Sequence, residues 1–314
     1  MSVAVRIART YTKKDKVLFC GYHGCFDWYL AANLGKKGAL DKLWIAGLSP
    51  NGVPKGLTGT AIPFIFNDEK SLQAALDEAG DDLAAIVMEP MRNYRPKKEF
   101  IDMVHQAVRS RNAPLIMDEI SSGFRICNGG AHLKMGFKPD MAVFAKAIGN
   151  GFPISAIIGR REVMNAAQDA FITSTNWTER TGPAAALAMI NKFIAYDASK
   201  HLVALADKVW DGWESLAGKH GLEIHIGGIS PMIHFSFAEN NNVNRAYFTQ
   251  EMLKKGFLAS AGFYAMYAHS FEDIDKYLTA CDEVFGELSK LIAANAVEAN
   301  LQGEAAKTGF ARIN

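Results

Sequence analysis

An α/β fold with a largely parallel sheet, followed by a smaller C-terminal α+β region, is the fold class this sequence predicts. Three observations predict it. Short apolar runs alternate with amphipathic helical segments through the first two-thirds of the chain, the signature of βαβ units. Two of those runs, Ala85-Ile-Val-Met88 and Leu115-Ile-Met117, are apolar without alternation, as strands buried on both faces of a parallel sheet are. From about residue 205 the texture shifts to helix, two strands, helix and one long last helix. The expected organisation is a large domain over 1–204 and a small domain over 205–314 of the 314 residues.

Taken in order, the expected strands of the large domain are Lys16–Cys20, Ala84–Glu89, Pro114–Asp118, Met141–Phe144 and Ile154–Ile158. Between the second and third, Lys98–Arg111 reads as a helix because Phe100, Ile101, Val104 and Val108 fall at helical spacing. A long helix begins near Gly182-Pro183, where a proline lacks only an N–H that would be unpaired anyway. The small domain reads as helix Leu205–His220, strands Leu222–Ile226 and Met232–Phe237, and helix Arg245–Lys255. Its last helix, Phe271–Ala294, carries Ile274, Leu278, Val284 and Leu288 on one apolar stripe. The tail after Asn300 is weakly patterned and expected to fray.

Composition narrows the function. Thirty-four basic and 33 acidic side chains leave a net charge of +1, so no broad field draws in nucleic acid or a membrane surface. A hydrophobic content of 49% with 21% charged residues is that of a soluble globular protein. No apolar run reaches the roughly 18 residues of a membrane span, and the N-terminus lacks a signal-peptide core. The cysteines Cys20, Cys25, Cys127 and Cys281 have no metal-ligand spacing, so reduced thiols in the cytoplasm and no metal site are expected.

The chemistry is read from two residues. Lys146 ends the apolar run Met141-Ala-Val-Phe-Ala145, and Asp118 ends Leu115-Ile-Met117. An amine and a carboxylate at the carboxyl lips of buried parallel strands is what pyridoxal phosphate (PLP) chemistry needs. The amine makes a Schiff base and the carboxylate keeps a pyridine nitrogen protonated. Gly149-Asn-Gly-Phe-Pro153 supplies a tight turn beside the lysine. A nicotinamide-binding turn is not expected, because Gly149-Asn-Gly151 lacks the G-x-G-x-x-G spacing.

These residues lie in longer motifs. Leu115-Ile-Met-Asp-Glu-Ile-Ser-Ser-Gly-Phe-Arg125, Lys138-Pro-Asp140 and Lys146-Ala-Ile-Gly-Asn-Gly-Phe-Pro153 occur in one order with Gly21-Tyr-His-Gly24, Asp27-Trp28, Met88-Glu-Pro90 and Ile158-Gly-Arg-Arg-Glu-Val-Met164. Together they resemble the class III PLP-dependent aminotransferases, including the glutamate-1-semialdehyde 2,1-aminomutase branch. The resemblance runs from about Ala4 to near Leu288. It implies the PLP-dependent transferase fold type I and amino-group transfer, by a transaminase or an aminomutase, on an amino acid or amino-carbonyl substrate. It also implies a homodimer with sites shared at the interface.

Residue by residue, the resemblance implies Lys146 as the Schiff-base lysine and proton shuttle and Asp118 as partner of the pyridine nitrogen. Tyr22 would lie on one face of the ring and Ile120 on the other, with His23 as a hydrogen-bonding turn residue. Thr175 would reach the phosphate of the neighbouring subunit's cofactor. Glu89, in the Glu-Pro motif, and Asn93, in the turn after it, are expected as substrate contacts or turn bonds, and Arg125 would meet a substrate carboxylate or, preferably, brace the loop after Asp118. Three positions depart from the family pattern. Ser121 stands where many of these transaminases have glutamine, and Glu179-Arg180 stands where Asn-Pro is usual. No Gly-Ser or Gly-Thr phosphate turn precedes Ala4. The expectation is therefore an N-terminally truncated member; the alternative is a catalytically impaired homologue acting as a partner subunit or fragment.

Overall fold

In the computed structural model, residues 1–43 and 45–305 are described, and they form two compact units, Met1–Ala195 and a second that begins at Tyr196. The weakly patterned tail lies, from residue 306 on, outside the described residues.

The first unit is built on a six-stranded sheet. Its strands are β1 (Lys16–Cys20), β2 (Ala61–Pro63), β3 (Leu83–Met88), β4 (Leu115–Asp118), β5 (Met141–Phe144) and β6 (Ala156–Gly159), in the order β2-β1-β3-β4-β5-β6. All neighbours run parallel except β6, which returns antiparallel to β5. β6 starts two residues later than the sequence pattern implied, because Ile154 packs instead against the main core and Gly182.

Alternate residues of each strand serve opposite faces. Leu18, Ile86, Met88, Leu115 and Met117 pack with Leu72 and Leu76 of helix Glu69–Ala79 and Phe100 and Val104 of helix Lys98–Arg111. Val17, Phe19, Ala85, Val87, Ile116 and Val143 pack on the other face with Ala4, Val5 and Ala8 of helix Ser2–Thr12. Each Val, Leu, Ile, Phe or Met among them, fully buried, contributes about 1.5–3 kcal/mol, which is why these strands read as unbroken apolar runs.

Strand order also fixes where a ligand fits. β1 connects to β2 on one side, whereas β3 leads to β4 and β5 on the other. The connections therefore diverge at the carboxyl ends of β1 and β3, the switch point where open α/β sheets leave a crevice.

The second unit has an antiparallel sheet of β7 (Ile224–Ile229), β8 (Met232–Phe237) and β9 (Gly262–Tyr264) in the order β7-β8-β9. Helices Ala198–His220, Asn241–Lys254 and Phe271–Ala293 belong to this unit. Trp213 is fully buried, edge-on to Phe235 with ring centroids 4.8 Å apart, and its indole N–H donates to the Tyr277 hydroxyl at 3.0 Å. The first of these helices begins at Ala198, seven residues before the expected Leu205, because Ala198 and Leu202 extend its buried stripe. Ser270 and Asp273 form a capping box at the start of the last helix. Among the described residues, no helix is long and apolar enough to cross a membrane.

Candidate active site

Four neighbouring strands deliver their carboxyl ends to one place. β1 is followed by Gly21-Tyr22-His23, β3 by Glu89, β4 ends in Asp118, and β5 is followed by Ala145 and Lys146. Asp118 pairs in register with Val143, so the lysine stands three residues beyond the carboxylate's neighbour. Gly21 has φ 107°, and a Cβ there would lie 2.5 Å from Glu89 Oε2. The positive φ suits glycine, and the missing Cβ leaves room for the Glu89 carboxylate beside the end of β1.

Asp118 is 4% exposed, and both its oxygens are engaged. Oδ2 lies 2.8 Å from His23 Nδ1, and Oδ1 accepts the Ile120 N–H at 3.0 Å. The other His23 nitrogen, Nε2, is 3.1 Å from the Cys20 carbonyl oxygen, and the ring stacks on Trp28. A carboxylate held from two sides in this way keeps one orientation.

Lys146 has φ 49°, in the left-handed region, a strain of about 1–3 kcal/mol for a non-glycine residue. The Asn150 N–H donates to the Lys146 carbonyl and holds the turn closed. Its Nζ donates to Ser121 Oγ at 2.5 Å. Partial desolvation lowers the Lys146 pKa; Asp118 and Glu89 oppose this, and Arg92 and Arg125 add to it. Those influences place all four charged groups in the electrostatic field of the lysine.

Glu89 is 9% exposed and receives two bonds from Arg92, Nε to Oε2 at 2.7 Å and Nη2 to Oε1 at 2.5 Å. Burial pushes its carboxyl up, and Arg92 pulls it back down. Glu119, fully buried, accepts from Ser122 Oγ (2.6 Å), the Ala131 N–H (2.9 Å) and the His132 N–H (2.8 Å), and its Oε1 lies 2.7 Å from His132 Nδ1. It thereby ties down the loop that follows Asp118. Arg125 Nε donates to the Ser121 carbonyl at 3.2 Å across the same loop.

Of the residues singled out in the sequence, His23, Glu89, Asp118, Ile120 and Lys146 converge at this lip, and Tyr22 and Ile120 are half-buried against one apolar cluster. Asn93 is exposed beyond the turn, and Thr175 lies on the exposed stretch 173–180. The Arg92 clamp and the Glu119 hub went unread in the sequence. The Glu-x-x-Arg spacing around Pro90 was the available signal for the first.

This donor set fits a pyridine aldehyde. A buried, oriented carboxylate suits a ring nitrogen, an amine of lowered pKa suits the carbonyl, and Tyr22 and Ile120 supply apolar walls. Fold and site together define a PLP-dependent transferase of fold type I. A solved structure of similar fold is the PLP internal aldimine form of the FumI protein of Sphingopyxis sp. MTA144, with TM-score 0.82 and 24% identity over 93% of this chain and 69% of that one.

The class-III aminotransferase family model matches residues 1–285, and the chain belongs to that family. Similar proteins include a glutamate-1-semialdehyde 2,1-aminomutase of Psychrobacter arcticus, 29% identical over 91% of this chain and 72% of its own length. A 3-aminobutyryl-CoA aminotransferase of Cloacimonas acidaminovorans is 29% identical over 93% of this chain and 69% of its own. The cofactor of the class is pyridoxal phosphate, and its chemistry is amino-group transfer.

Proposed function

We propose that this chain performs its PLP-dependent amino-group transfer through Lys146, with Asp118 holding the ring nitrogen. One observation carries the reading: a buried, oriented carboxylate and an amine of lowered pKa stand on adjacent strand ends beside the switch point. Bound there, PLP supplies a carbonyl that condenses with amines and a ring that withdraws electrons from the substrate carbon. Asp118, kept in place by His23 and the Ile120 N–H, presents negative charge to the ring nitrogen. Tyr22 and Ile120, half-buried against one apolar cluster, would pack on the ring and limit water there. Lys146, as the neutral amine, takes a proton at one carbon and returns it at another.

Glu89, Asn93 and Arg125 flank the space a substrate would use, and Thr175 serves the site of the second subunit of a homodimer. A large cofactor-binding domain and a small C-terminal one belong to this reading, expected over 1–204 and 205–314; the first compact unit ends earlier, at Ala195, with helix Ala198–His220 wholly in the second and every site residue in the first. The substrate is a small amino donor or acceptor. The named activities of the two relatives support amino-carbonyl compounds, and transamination and aminomutation would use the same residues. Four free thiols support a cytoplasmic protein.

The test is covalent trapping. Protein mixed with PLP and reduced with borohydride should gain one pyridoxyl group, located by peptide mass spectrometry on Lys146, and K146A should gain none there. A wild-type chain that retains no pyridoxyl group, or carries it on another lysine, ends this reading.

A further inference from the structure

Ser121 is absorbed by no role assigned above, yet it touches the reacting amine. It sits on the loop after β4, directly across from the turn after β5 that carries Lys146. Its hydroxyl oxygen is 2.5 Å from Nζ. Both partners are fixed from behind. On the serine side, Arg125 Nε bonds the Ser121 carbonyl, the Ile120 N–H is held by Asp118, and the Gly123 N–H donates to the Glu119 carbonyl at 2.9 Å. The buried Glu119 carboxylate then pins Ser122, Ala131 and His132. On the lysine side, the left-handed turn at Lys146 is closed by its own backbone bond from Asn150. The two loops that carry these side chains are therefore each tied down, and the short Nζ–Oγ contact bridges them.

We infer that Ser121 is the partner of the Lys146 amine whenever that amine is free of the cofactor carbonyl, accepting an N–H from the ammonium and donating its own O–H to the lone pair once the proton has left. The inference rests on the proposed role of Lys146. A hydroxyl can serve both protonation states because it is donor and acceptor at once, so the amine keeps one position while it changes charge. No net proton is consumed: the ammonium proton leaves to solvent or substrate, and the serine proton only turns from outward to inward. The bond to the charged form is the stronger of the two. Ser121 therefore favours the ammonium, alongside Asp118 and Glu89 and against Arg92 and Arg125.

The experiment uses cofactor-free protein and reads the lysine directly. Trace acylation with acetic anhydride across pH, quantified on the Lys146 peptide, gives the midpoint at which the amine becomes reactive. Ser121→Ala should lower that midpoint by about one unit, the difference between a charge-assisted and a neutral hydrogen bond. Ser121→Thr, which restores a hydroxyl, should return it to the wild-type value. An unchanged midpoint in S121A, or a shift that S121T reproduces, overturns the inference. Borohydride trapping of PLP on the same wild-type sample is independent of it: failure there sinks the role of Lys146, whereas trapping with an unmoved midpoint sinks only that of Ser121.

Discussion

Arg92 acts on two charges at once. Burial raises the Glu89 pKa and Arg92 restrains it, while the same guanidinium helps to lower the pKa of Lys146. Arg92→Gln should therefore move both upward, and the Lys146 acylation midpoint in particular should rise. It also leaves a buried carboxylate without its bidentate partner, a loss of about 2–3 kcal/mol at neutral pH. The sign follows from the direction of the shift. A carboxyl whose folded pKa is raised has its stability fully present below the unfolded pKa and loses it as pH rises through the folded value. The R92Q defect should thus be small near pH 4 and grow toward neutrality in thermal unfolding, and a defect constant across that range would refute the assignment. At this scale the sequence was half legible. Lys146 and Asp118 announced themselves because each ends an apolar run with a charge. The His23–Asp118 bond could not be read, since it joins residues 95 apart and depends on the carboxyl ends of β1 and β4 lying near one another.

At the scale of elements, the segment from Glu119 to His132 has no regular structure over most of its length and is ordered by one buried carboxylate. Gly130 is the place to disturb it, since a Cβ there would lie 2.3 Å from His132 Nδ1 and 2.7 Å from Glu119 Oε1. Gly130→Ala should cost about 1–3 kcal/mol by overpacking. It should also loosen Ser121 and slow PLP capture by Lys146, measured by thermal unfolding and by trapping rate. Wild-type values for both would show that the Glu119 hub does not position the site. β1, β5, β8 and the helix Lys98–Arg111 have the expected bounds, because each has a run or stripe of apolar residues with a clear break at its ends. β2 and β9 escaped because each is three residues long, one ending in Pro63 and the other carrying the exposed Tyr264. Neither offers a period to read.

For the whole molecule, the division of labour between subunits has a decisive test. If Thr175 serves the neighbour's cofactor, a mixture of Lys146→Ala and Thr175→Ala chains forms hybrids in which one site carries both changes and the other carries neither. Mixing should then restore activity to about half that of wild type within hybrids, with both parent variants nearly inactive. Additive activities on mixing, or a monomer in sedimentation, would remove Thr175 from the site. The sheet's strand order carries a further consequence. Every strand end that builds the lysine–aspartate wall belongs to residues 16–146, and β6 then closes the edge by an antiparallel return. A ribosome therefore emits the complete wall before the helix Thr181–Ala195 and the second unit exist. The residues that face the cofactor therefore leave the ribosome in the order in which their strands, β1, β3, β4 and β5, stand side by side in the sheet.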